Sequence, residues 1–242
     1  MTGQLLVRGM LVGLLAGVLA FGFAKVFGEP QIDKAIAFEE HMAQVHGDAP
    51  EEELVSREVQ STFGLFTGIV TYSVSLGGIF ALVFAYSLGR VGKIGPRGLA
   101  ALLALAAFVT LILVPGLKYP ANPPSIGDPE TIKQRTKLFF LMLLVSVIAG
   151  VIAINAARKL IPALGSWNGS ILAAALYILI MAVAGSLFPT VNEVPHTFSA
   201  VLLWKFRVAS LGIQLVLWTT VGLTFGWLAE RALSLPGFST RA

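Results

Sequence analysis

Six stretches of this chain run for 18 to 26 residues with almost no charge, and that pattern leaves few folds open. They cover residues 5–27, 63–88, 99–117, 138–157, 171–188 and 208–229. The last five contain no Asp, Glu, Lys, Arg or His, and the first carries Arg8 and Lys25 near its ends, where long side chains reach back to the interface. Hydrocarbon offers no partner for backbone N–H and C=O groups, so runs of this length cross as helices that satisfy their own backbone. The chain therefore reads as all-α, a polytopic membrane helical bundle of about six transmembrane helices, with residues 1–242 forming a single integral membrane domain. Only 12% of its residues are charged, about half the ~25% of a soluble domain. The first run exceeds the ~7 to 15 apolar residues of a signal-peptide core and is expected to stay as a span.

The formal charge of +4 comes from Lys and Arg scattered between apolar runs, so a nucleic-acid partner is not expected. With no cysteine, disulfides, thiolate metal sites and a catalytic thiol are excluded, and any metal must be held by nitrogen or oxygen. No phosphate-cradling G-x-x-x-x-G-K-[ST] loop occurs, and no charged group lies near the middle of a run, so neither an ATP engine nor a proton relay within the membrane is visible.

Three connections are polar and distinctive. Residues 28–62 form an acidic extramembrane loop with some amphipathic helical character, carrying Glu39, Glu40, His41, His46, Asp48, Glu51, Glu52, Glu53 and Glu58. Residues 118–137 open on Lys118-Tyr119-Pro120-Ala121-Asn122-Pro123-Pro124, and residues 189–207 contain Val191-Asn192-Glu193-Val194-Pro195-His196. Six spans put all three on one side. The basic residues divide almost evenly, and the compact 89–98 connection, with three basic residues and no acid, tips the expectation to a cytoplasmic N-terminus with the rich connections outside.

Small residues four apart mark helix contacts in lipid, and Gly9-Gly13-Gly17, Gly64-Gly68 and Gly222-Gly226 have that spacing; packing within one bundle is the expected use, ahead of a homo-oligomer face. Thr67, Thr71 and Ser75 share a face, as do Ser210 with Gln214 and Thr220 with Thr224. Such hydroxyls line a path, bond to a neighbouring helix, or bond back to their own.

All three histidines, His41, His46 and His196, fall in the connections assigned to one side, near carboxylates. Imidazole with carboxylate suits a borderline divalent cation, and His41, His46, Glu193 and His196 are the candidate metal ligands; solvated histidines are the plainer alternative. The stretch around His41 lacks the H-E-x-x-H order, and its two histidines stand about 140° apart on a helix, so a zinc protease is rejected. Lys118, Tyr119 and Asn122, in a proline-stiffened exit from the third run, are candidates for shaping an entrance.

Several strings resemble the CbtA family, the larger subunit of a predicted cobalt transporter. They are Pro30-Gln31-Ile32 leading to Glu39-Glu40, Ser61-Thr62-Phe63-Gly64 with Thr67-Gly68, and Leu117 to Pro124 with Gly127-Asp128-Pro129-Glu130-Thr131. Val191-Asn192-Glu193-Val194-Pro195, Trp204-Lys205-Phe206-Arg207 and Leu228-Ala229-Glu230-Arg231 complete the set, which runs from the first span to Arg231. The resemblance implies cobalt uptake linked to cobalamin supply, in a bacterial or archaeal inner membrane, with a small single-span partner, CbtB, that carries a His-rich segment. Cobalt would then be cargo, and no resident cofactor is expected. The family is often described with five spans against the six counted here. The rival classes are a non-transporting scaffold or metal-sensing subunit, and, more remotely, a membrane enzyme, for which no nucleophile and base motif is visible.

Overall fold

The structure, a computed structural model, describes residues 2–47, 55–92, 94–124 and 126–234. Asp48, Glu51, Glu52 and Glu53 of the acidic connection lie outside them. Among the described residues there is no strand, and five helices are long and apolar enough to cross a membrane: α1 (Thr2–His46), α2 (Arg57–Ser87), α3 (Pro96–Lys118), α4 (Ile132–Leu187) and α5 (Ala200–Leu233).

The two longest helices far exceed a single span. At 1.5 Å per residue the 45 residues of α1 reach about 67 Å, over twice the ~30 Å of hydrocarbon. The surplus is the acidic segment: Glu29–His46 continues the helix instead of forming an irregular loop. Local chemistry explains this, since Pro30 sits in the first turn, where its missing N–H costs nothing, and Gly47 ends the helix at φ 75° with its N–H on the carbonyls of Ala43 and Gln44. The other long helix, α4, has 56 residues and breaks at Gly165, whose φ of 79° and ψ of 163° are open essentially only to glycine. Beyond that residue the chain turns back. A Cβ on Gly169 would stand 2.9 Å from Ile161 Cα, a closeness that eight residues of straight helix forbid.

Three turns widen to π geometry, at Ala24–Gly28, Gln60–Gly64 and Phe108–Leu113. The first precedes Pro30 and the third precedes Pro115. Proline removes a helical N–H and its ring pushes on the carbonyl four residues back, which opens the turn before it. The second has no proline. There the Glu58 carbonyl accepts from both Ser61 and Thr62 hydroxyls, at 3.3 and 2.6 Å, which competes with the regular ladder.

The chain divides into two compact units. The first takes Met1–Phe108, Pro123–Ser125 and Ser199–Ala242. In it α1 lies along α2 where both lack side chains: a Cβ on Gly9 would strike the Gly77 carbonyl, one on Gly77 the Gly9 carbonyl, and one on Gly17 would come 3.1 Å from Val70 Cα. Gly222 and Gly226 of α5 meet Ala104 and Ala100 of α3 in the same way, at 2.6 and 3.1 Å from an added Cβ. These two glycine sets do the packing expected of them. Gly68 does not, because nothing lies within 4 Å of its would-be Cβ. Phe80, Phe84 and Phe225 close this core edge to face, with ring centroids 5.4 and 5.1 Å apart.

The second unit takes Val109–Asn122 and Ile126–Phe198. Its core is the seam between the two arms of α4: Met142 and Ala149 on one, Met181 and Ala184 on the other, with Val114, Tyr119 and Phe188 packed against them.

Candidate functional site

The second unit holds an organised polar cluster that begins from Glu193. One carboxylate oxygen accepts from the Thr131 hydroxyl at 2.6 Å, and the other accepts from the Asp128 N–H at 2.9 Å and lies 3.2 Å from Arg135 Nε. The Thr131 and Asp128 bonds, with Arg135 adding its positive charge, hold the Glu193 carboxyl below its ordinary value despite partial desolvation. Arg135 also donates to the Asp128 carbonyl at 3.2 Å, lying over Gly127, whose φ of 125° suits only glycine and whose missing Cβ leaves room for the guanidinium. The strings around Asp128 and Glu193, more than 60 residues apart, thus close into one clasp.

Beside this, the Tyr119 hydroxyl donates to the Pro189 carbonyl at 2.8 Å, and burial raises its phenol above the ordinary value. The bond pins the end of α3 to the end of the second α4 arm. Below it lies a groove of about 390 Å³, walled by Val114, Leu117, Met142, Ile178 and Met181, with Lys118 at its edge. Tyr177 lines the same groove, and its hydroxyl pairs with Ser146 at 2.8 Å. Ser146 is fully buried and also donates to the Thr110 carbonyl at 2.6 Å, inside the widened turn before Pro115. A backbone acceptor in the turn loosened by the proline thus accepts from a side chain of another helix.

The candidates from the sequence fall in different places. Lys118 and Tyr119 stand together at the groove, and Asn122, just beyond, is half-buried and engaged. Glu193 is committed to the clasp. His196 is exposed three residues further on. His41 and His46 are exposed in the first unit on one continuous helix, so their spacing of five keeps them on different faces. His46 Nδ1 lies 2.8 Å from the Met42 carbonyl. A carbonyl only accepts, so Nδ1 donates in this contact, which leaves Nε2 as the ring nitrogen turned away from the backbone. Among the described residues no three His, Asp or Glu side chains gather into a metal-holding group.

The polar stripes resolve toward their own helices. Thr67 donates to the Phe63 carbonyl at 2.6 Å, Ser75 to Thr71 at 2.8 Å and Thr220 to Val216 at 2.7 Å. Gln214 instead reaches Tyr72. Missed by the sequence reading were the Thr110–Ser146–Tyr177 thread and the tie between α1 and α2, where Arg57 pairs with buried Glu29 and, at 2.9 Å, with Asp33. A Lys25 bond to the Ser61 carbonyl at 3.0 Å adds to that tie and links two widened turns.

The chain matches no curated protein and no solved structure. A family model does match it: that of the probable cobalt transporter subunit, CbtA, over residues 2–230. Five long apolar helices and a subunit family make this a multi-pass integral protein of the inner membrane that works within a complex. With nearly its whole length matched, including the strings that form the clasp and line the groove, the chain belongs to the CbtA family of probable cobalt transporter subunits.

Proposed function

We propose that this chain is the large membrane subunit of a cobalt uptake complex that serves cobalamin synthesis, completed by a small single-span subunit of the CbtB kind. The family match over residues 2–230 carries the reading. Exposed imidazoles support a capture role: His46 offers a pre-oriented Nε2, and His41 and His196 add nitrogen donors suited to a borderline divalent ion. Glu193 holds the clasp and joins a metal only by giving up that role. A divalent ion wants several nitrogen or oxygen ligands, and single histidines on separate faces give it one each, so a partner's donors fit the remainder. The chain itself carries no chemistry in this scheme.

The reading includes six crossings. Each arm of α4 about Gly165 is long enough to span ~30 Å, and a cytoplasmic N-terminus then leaves the clasp, Lys118 and the histidines outside. Cysteine placed beside Gly165 and beside His46 should label from opposite faces of intact cells; labelling from one face would remove this topology.

The test of transport is cobalt accumulation in a deletion strain complemented with this chain, alone and with its partner. Restoration only by the pair supports the proposal. Accumulation indifferent to this chain would remove it, and cobalt binding by reconstituted vesicles without cobalt entry would favour a scaffold. Replacing His41, His46 and His196 together should lower uptake at limiting cobalt, and unchanged uptake would return them to solvated surface residues.

A further inference from the structure

We infer that the groove of the second unit is a binding site for one acyl chain of an anionic phospholipid, with Lys118 holding its phosphate. The trough is apolar along its length, and the Tyr177 hydroxyl in its wall is already paired with Ser146, so its depth offers no free polar group. Its occupant is therefore apolar there. Gly185 contributes no side chain, and nothing stands within 4 Å of where its Cβ would be, which leaves that wall open.

Position along the helices gives the depth. Gly185 lies near Pro189, which Tyr119 grips, so it marks the same end as Lys118. Tyr177 is eight residues away, or about 12 Å along the arm, within one leaflet of a ~30 Å hydrocarbon layer. The groove holds about 390 Å³ and is open at Gly185, which is room for a slender apolar occupant. An extended alkyl chain is thin enough.

Charge selects the headgroup. Lys118 is half-buried at the last turn of α3, and among the described residues no carboxylate pairs with it. A cation held at the interfacial end of an apolar trough is complementary to a phosphate ester on an acyl chain, and it repels a divalent metal ion. The Tyr119 to Pro189 bond next door holds the rim in place.

The experiment uses the full chain, purified in mild detergent and placed in nanodiscs of mixed phosphatidylglycerol and phosphatidylcholine, with retained lipid counted by native mass spectrometry. Wild type should retain phosphatidylglycerol over phosphatidylcholine by about fivefold at one site. Lys118→Arg should keep that preference, Lys118→Gln should abolish it, and Gly185→Leu should lower retention of both lipids by filling the trough. Equal retention of the two lipids by wild type, or an undiminished preference in Lys118→Gln, overturns the proposal. Displacement of the lipid by the co-purified single-span subunit also overturns it, making the groove a protein interface. The readout is independent of cobalt transport.

Discussion

Ser146 and Tyr177 share a hydrogen bond of 2.8 Å between their hydroxyls although 31 residues of helix separate them. A straight helix would set them about 46 Å apart. The bond exists because Gly165 lies between them and folds α4 back on itself, so this polar thread depends on one glycine at the far end of both arms. Met142 and Met181 face each other at the same register, four residues further from the turn.

Gly165→Ala should destabilise the protein by about 1 to 3 kcal/mol, the usual cost of forcing a side chain into this backbone region. Nothing crowds the position, so the whole effect is conformational. Thermal unfolding in detergent measures it, and an unchanged midpoint would show that the arms do not need this conformation.

Ser146 is fully buried, and removing its hydroxyl takes a donor from the Thr110 carbonyl and a partner from Tyr177. Ser146→Ala is expected to cost about 1 to 3 kcal/mol and Tyr177→Phe about 1 kcal/mol. A double-mutant cycle should give less than the sum, since both changes break the same bond. Additive losses would mean that the two hydroxyls act separately.

The glycines of α1 and α2 offer an internal control. Gly9→Leu should push the helices apart and cost at least about 1 to 3 kcal/mol, because an added side chain meets the Gly77 carbonyl. Gly68→Ala, with nothing near it, should be neutral or slightly stabilising through lost unfolded-state freedom. Equal effects at the two positions in a detergent melt would contradict the packing described.

The clasp predicts a pH dependence. The Glu193 carboxyl is held below its ordinary value of 4.5, so its folded state binds protons less readily than its unfolded state. Its contribution is complete above about pH 4.5 and is lost as the pH falls through the lowered value. Glu193→Gln should therefore be less stable than wild type at pH 7, and the gap should narrow below pH 4.5. Limited proteolysis of the connection near Asp128 reports it. A gap that holds constant into acid would mean that the charge of Glu193 is not what closes the clasp.

The sequence alone determined that the chain is all-α and that its apolar runs lie in a membrane. Both follow from local facts: uncharged runs of the right length, and backbone groups that only a helix satisfies in hydrocarbon. It also marked Lys118, Tyr119 and Glu193 through distinctive polar strings. Whether Glu193 faces a metal or Thr131, Asp128 and Arg135 was not legible, because a carboxylate reads the same until its partners are brought to it. Ser146 and Tyr177 were silent for a related reason: a single hydroxyl in an apolar run has no periodicity to betray it. Tertiary structure brought Thr131, Asp128 and Arg135 to Glu193 and Tyr177 to Ser146, and it set the reversal at Gly165. Helix rotation and approach come from contacts tens of residues apart, and no local pattern encodes which face of one rod will meet another.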